Sequence, residues 1–293
     1  FDKAKNQLWN TLIKVDEAIG ETSGAWFLGG QQPSSVDIQY ITTIERLIAS
    51  SLYWKGLVIR GKFKNIDRWL EAFDNLPCYA ATKSDYYTHS MAIPSQNGPG
   101  YFVDDAKSIS NKIHGLAWKL PLDKEWLLYD DRQEESRHEA AFQLIFNSEA
   151  IVRFSCRGGG EAGRPSFHAE LADPYAEPNE DFIPAVDLCL RHVVSALIDG
   201  IDSSIEDFRC DLAGKAGRGD LRPNWEEYKD DDGELYYWNW ETGDVTWSAP
   251  TQQLDTCLAY LRDRVGVPRD MGQDAAMQLR AHLNWAIEVL QNS

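Results

Sequence analysis

Residues 26–37 read WFLGGQQPSSVD, a run of helix breakers that ends on a helix start. Gly29, Gly30 and Pro33 stop whatever precedes them. Ser34 and Asp37 then stand at the spacing of a capping box. The Ser34 hydroxyl can accept from the Asp37 backbone N–H, while the Asp37 carboxylate reaches back to the Ser34 N–H. Behind the box, Ile38, Ile41, Ile44, Ile48 and Leu52 lay an apolar stripe at helical spacing. Upstream, Leu8, Leu12, Val15 and Ile19 do the same, and a third helix beginning near Asn65 buries Ile66, Trp69, Leu70 and Phe73. Residues 1–92 therefore read as one helical domain.

Charge separates that domain from the rest. The 293 residues carry 29 Lys and Arg against 46 Asp and Glu, a formal net charge of −17. Residues 1–100 hold ten of each sign, so all of the excess lies beyond them. Such a shift marks a boundary, placed in the linker Ile93 to Tyr101, where Pro94, Gly98, Pro99 and Gly100 cluster. A second linker is expected at Ala213 to Asp220 (AGKAGRGD). The acidity argues against nucleic acid and anionic membranes as partners, since phosphate contacts need a basic surface. No apolar run approaches the roughly 20 residues of a membrane span. The odd set of five cysteines, without a CxxC pair, points to a reducing intracellular compartment, cytosol or plastid stroma.

The order of these elements resembles a known family. An amphipathic helix, then FLGG, then SSVDI opening a buried helix, an Glu45-Arg46 pair, and NIDRWLEAFDNLPCYAATKSD are together similar to the helical C-terminal domain of glutathione S-transferases, over about residues 1–90. The resemblance implies that Ser34 and Asp37 are a folding element, as their spacing alone indicates. It departs at Pro33, where the family often has an apolar residue. It also implies that the thiol chemistry of such enzymes sits on a separate thioredoxin-like domain, for which no βαβ pattern precedes Phe1. The helical domain on its own is therefore expected to bind no cofactor, with glutathione entering only if an upstream domain exists. No catalytic and no metal-binding residues are expected.

Residues 221–250, LRPNWEEYKDDDGELYYWNWETGDVTWSAP, break the helical pattern. Trp225 and Trp247 stand 22 residues apart, with Pro250 three beyond. An acidic turn at Asp230 to Gly233 precedes a strand from Glu234 to Trp240, Thr242-Gly243 makes the next turn, and Val245 to Ser248 a third strand. Strand alternation sends Trp225, Tyr237 and Pro250 to one face as a small core, and Tyr236, Trp238, Trp240 and Trp247 to the other. The segment resembles a WW domain, a three-stranded antiparallel sheet that binds polyproline-II peptides between aromatic side chains. Carried over by position, Tyr236 and Trp247 form the groove, with Trp238 and Trp240 beside it. Trp240 stands where a His is usual and Val245 where a Ser or Thr is common, so the ligand preference departs from the family's. The other reading of these aromatics is that they pack against helices of the same chain.

The remainder reads as helix: Glu134 to Phe154, Phe182 to Leu212, Gln252 to Val265 and Gln273 to Leu290. Residues 101–212 form a helical extension and 251–293 a helical hairpin; the extension is similar to transferase-like proteins of algal lineages. Several motifs carry less than they promise. Gly158 to Gly163 matches GxGxxG, but Arg164-Pro165 follows where a helix should open, so a turn is the better reading. Cys156 lies between Arg153 and Arg157, as either an activated or a buried structural thiol. His138 among Glu134, Glu135 and Glu139 reads as a solvated helix face, and His168 with Glu170 has no third ligand.

Three functional classes remain. The first is a non-catalytic interaction or scaffold subunit that docks through the transferase-like helical domain and binds proline-rich segments of a protein partner. The second is a glutathione transferase whose thioredoxin-like domain lies outside this chain. The third is a peripheral subunit of a large plastid assembly. The expected fold class is mostly α: helical domain, helical extension and a small three-stranded sheet.

Overall fold

The structure, a computed structural model, describes residues 1–97, 101–116, 118–122, 133–160, 175–214, 225–230, 233, 235–240, 243, 245–246 and 254–291. The chain is mostly helical, with one small antiparallel sheet. It divides into two compact units, residues 1–117 with 266–273, and 118–265 with 274–293. Among the described residues, no helix is long and apolar enough to cross a membrane.

The first unit holds α1 (Asp2–Gly20), α2 (Ser35–Lys55), α3 (Lys64–Asp74), α4 (Pro77–Ala80), α5 (Tyr86–Asn97) and α6 (Lys107–Ile113). Its core takes Leu12 and Ile19 from α1, Ile41, Ile44 and Ile48 from α2, and Ile66, Trp69, Leu70 and Phe73 from α3, with Leu8 and Val15 partly buried at its edge. The expected stripe is corrected at Ile38, which in the first turn of α2 stands 59% exposed. The capping box is formed, with both halves present. Asp37 does more than cap. Its Oδ2 accepts from the Ser34 N–H at 2.7 Å and the Ser34 hydroxyl at 2.6 Å, and its Oδ1 from the Phe27 N–H at 2.9 Å and Trp69 Nε1 at 2.8 Å. One fully buried carboxylate thus joins the breaker loop, the start of α2 and the middle of α3. Burial alone would raise its pKa; the Ser34 hydroxyl, the Phe27 and Ser34 amides and the Trp69 indole more than reverse this, and the net shift is downward.

A second carboxylate works the same way. Asp16 on α1 accepts from the backbone N–H groups of Asn65 and Ile66 at 2.8 and 2.9 Å, which places an anion at the positive end of α3. At the other end of α2, Gly56 adopts φ +64°, and the Leu57 N–H bonds back to the Ser51 carbonyl at 3.0 Å. Residues 266–273 join this unit through Val267, whose N–H donates to Thr88 Oγ1 at 3.1 Å and whose carbonyl accepts from the Ser84 hydroxyl at 2.5 Å. The expected linker from Ile93 is corrected in part: α5 continues through Ile93 and Pro94 to Asn97. α5 packs on α2, the Ser90 hydroxyl donating to the Ala49 carbonyl at 3.4 Å, and tertiary packing of this kind overrides a breaker composition.

The second unit holds α7 (Gln133–Phe146), α8 (Ser148–Ser155), α9 (Ile183–Asp199), α10 (Ile201–Gly214), β1 (Trp225–Lys229), β2 (Leu235–Asn239), β3 (Val245–Thr246), α11 (Leu254–Arg262) and all but the first residue of α12 (Gln273–Gln291). Two of the expected helices are broken. Glu134 to Phe154 is interrupted at Asn147, whose backbone leaves the helical region and restarts the chain as α8. Phe182 to Leu212 is interrupted at Gly200, where φ is +93°, a conformation that a Cβ would strain. Gly214 ends α10, so Ala213 and Gly214 of the expected second linker are helical, and 215–220 lie outside the described residues. α12 is buried on every side from Ala275 to Ala286, including Gln278, Arg280, His282 and Asn284. Arg280, His282 and Asn284 are bonded inside the core. Arg280 Nη2 donates to the Val265 carbonyl at 2.5 Å, Arg262 Nη1 to Asn284 Oδ1 at 3.0 Å, and Asn284 Nδ2 to the Trp118 carbonyl at 3.1 Å.

Candidate functional site

The sheet presents the one cluster of site residues that the sequence marked. β1 pairs antiparallel with β2, Tyr228 opposite Tyr236 and Glu226 opposite Trp238, and β2 pairs with the two-residue β3, Trp238 opposite Val245. The turns fall where expected: the Gly233 N–H bonds to the Asp230 carbonyl at 3.1 Å, and Gly233 and Gly243 both take positive φ. Residues directly opposite one another share a face, so Glu226, Tyr228, Tyr236, Trp238 and Val245 stand together. Tyr237 points the other way and is buried.

On the shared face the aromatics touch. Tyr228 stacks on Tyr236 with ring centroids 5.6 Å apart and meets Trp238 edge-on at 6.1 Å. The Tyr228 hydroxyl donates to Glu226 Oε2 at 2.6 Å, and this bond to a carboxylate pushes its pKa up. Trp238 is 37% and Trp240 55% exposed, and Tyr236 is half-buried. Among the described residues no helix packs broadly on the sheet, whose main neighbours are its own strands. Trp247 and Pro250 lie outside the described residues; of Trp225 the strand position opposite Asn239 is described.

Tyr228 was missed in reading the sequence. The signal is present in the sequence: with Trp225 on the core face, strand parity puts Tyr228 with Tyr236 and Trp238. A row of aromatic rings with the Glu226 carboxylate beside it can grip flat or ring-shaped apolar groups and attract cations.

The other candidates resolve structurally. Cys156 is fully buried, and burial pushes its thiol up to about 11; burial likewise lifts Cys189 and Cys257 to about 12. The arginines near Cys156 serve elsewhere, Arg153 pairing with Glu180 at 2.7 Å and Arg157 lying over the Phe154 ring. Gly158, Gly159 and Gly160 are packing glycines. A Cβ on them would sit 2.4 Å from the Thr256 carbonyl, 2.2 Å from the Phe182 ring and 1.9 Å from the Glu177 carbonyl. His138 is exposed, as are Glu134, Glu135 and Glu139; His168 and Glu170 lie outside the described residues. Among the described residues no three His, Cys, Asp or Glu side chains are grouped to hold a metal ion.

Comparison with known proteins places one part of the chain. Residues 1–72 match the glutathione S-transferase C-terminal domain family, the stretch that contains the capping box and most of α3. No curated protein and no solved structure matches the chain.

Proposed function

We propose that this protein is a non-catalytic interaction subunit in which the transferase-like helical domain serves as a docking body and the sheet acts as a WW module for proline-rich segments of a partner. The observation that carries this reading is the exposed aromatic face: Tyr228, Tyr236, Trp238 and Trp240 on a sheet that no described helix covers broadly. Proline-rich segments lose little entropy when they enter such a face, because they are already extended. Residues 223–250 carry eight acidic side chains against Lys229 alone, so basic residues flanking the prolines should speed association.

The test is titration of the intact chain with proline-rich peptides carrying Lys or Arg flanks, read by tryptophan fluorescence and calorimetry. Interfaces this small bind weakly, and a Kd of about 10⁻⁵ M, rising with salt, is expected. Trp240→Ala should weaken binding at least tenfold and leave thermal stability unchanged, since the side chain stands in solvent. Absence of binding at millimolar peptide would refute the reading.

A second reading, a relative of glutathione transferases that retains chemistry toward thiols, is favoured by the family match over residues 1–72. Retention on immobilised glutathione together with turnover of a general electrophile by the intact chain would put this reading first.

A further inference from the structure

Between α7, α8 and α9 lies an open groove of about 440 Å³. Its lining includes the buried Leu144, Val152 and Leu190 together with Ile145, Val194 and Ile198. The lining of α9 recurs at Asp187, Leu190, Arg191, Val194, Ser195, Ile198 and Asp199, a spacing of three and four residues sustained over three turns. That is the seam along which one helix packs on another. α7 and α8 cover one flank of it.

The apolar surface does not stop at the groove. Ile145 continues on α7 into Phe142 and Phe146, which are 58% and 74% exposed and stack on each other at 5.5 Å. Ile145 is 56% and Ile198 45% exposed. Contiguous exposed apolar side chains of this size mark interaction surfaces. The polar rim is acidic. Asp187 is engaged by Arg191 at 2.8 Å, which neutralises the cation in the lining and leaves the charge of Asp199, whose Oδ2 accepts a long, uncharged bond from the Ser195 hydroxyl at 3.4 Å. Glu149, in the first turn of α8, is exposed nearby in sequence.

We infer that this groove is the docking site for a basic amphipathic helix of a partner protein. The seam from Asp187 to Asp199 spans about 18 Å at the helical rise of 1.5 Å per residue, room for about three turns. The occupant sets an apolar stripe against Leu190, Val194 and Ile198, tucks its edge under Phe142 and Phe146, and places Lys or Arg at Asp199. A second copy of this chain is disfavoured as occupant, because two bodies of net charge −17 repel. The proposal adds a second surface to the interaction reading and does not depend on the sheet: failure of proline-rich peptides to bind leaves it standing.

The probe is a fluorescein-labelled 14-residue peptide of Leu and Lys with leucines at helical spacing, measured by anisotropy on the intact chain. A scrambled peptide of the same composition and a Leu/Glu peptide of the same pattern are the controls. The patterned Leu/Lys peptide should bind at least tenfold more tightly than either. Ile198→Glu and Phe146→Glu, at exposed positions, should each weaken it at least tenfold even though they make the chain more acidic. Asp199→Lys should weaken the Leu/Lys peptide and strengthen the Leu/Glu peptide, an inversion that a merely misfolded variant cannot produce. Equal binding of patterned and scrambled peptides, or indifference to all three substitutions, would overturn the proposal. So would a concentration-dependent dimer of the unmodified chain that Phe146→Glu dissociates, which would assign the groove to a second copy.

Discussion

Replacing Asp37 by alanine tests the hub of the first unit. The substitution removes the N3 half of the capping box, which costs about 1 kcal/mol. It also strips Trp69 Nε1, on a side chain with no exposed surface, of its acceptor at 2.8 Å. A buried donor left unsatisfied costs about 1–3 kcal/mol. The Phe27 and Ser34 amides are half-buried and can recruit water, so they add little. The sum is about 3 kcal/mol, three times a cap alone and about two decades in the local opening equilibrium. Hydrogen exchange of the intact chain, followed in peptides covering α2 and α3, should show that loss and leave α9 and α12 unchanged. Asp37→Asn keeps one acceptor and should fall between. In a Trp69→Phe background the same alanine substitution should cost less, by the share that belonged to the indole. The pH dependence has a definite sign. The folded-state pKa lies below the unfolded value of about 3.9. The stabilisation is therefore complete above about pH 4 and is lost as the pH falls below that, through the lowered folded-state pKa. If Asp37→Ala left α2 and α3 protected within a factor of two, the carboxylate would not be the hub its geometry describes.

Three further outcomes follow from the same structure. Burial, opposed by the bond to the Gln278 carbonyl at 2.7 Å, lowers the His282 pKa to about 4. The unfolded chain then takes up a proton that the fold refuses between about pH 6.5 and 4, so stability of the second unit should fall by up to about 3 kcal/mol over that window, and His282→Gln should flatten the slope of denaturation midpoint against pH. Gly160→Ala, which drives a methyl to 1.9 Å from the Glu177 carbonyl, should destabilise the second unit by about 1–3 kcal/mol or more, seen as a lower denaturant midpoint. Trp240→Ala should abolish the fluorescence response to proline-rich peptides while the thermal transition stays in place.

The capping box, the stripes of α1 to α3, the two glycine turns of the sheet and the burial of Tyr237 were all legible in the chain, because each is set by neighbours within a few residues. Capping needs a hydroxyl and a carboxylate three apart, a helix face repeats every three to four residues, and strand parity repeats every two. Gly200 and Asn147 were equally local signals, and the two long helices were read through them only because flanking apolar spacing continued on both sides. Other facts belong to tertiary structure alone. That Asp37 also receives Trp69, 32 residues away, depends on α3 being held beside the start of α2. α12 carries Gln278, Arg280, His282 and Asn284, a composition that reads as a solvated face. Burial is tolerable because Arg280, His282 and Asn284 meet backbone carbonyls inside the core and Asn284 Oδ1 accepts from Arg262. The three glycines at 158–160 look like a flexible or phosphate-binding loop until Thr256, Phe182 and Glu177 are seen to press on them from distant parts of the chain. Periodicity records which side of an element is apolar; what that side, or the other one, comes to face is decided by elements the local sequence does not contain.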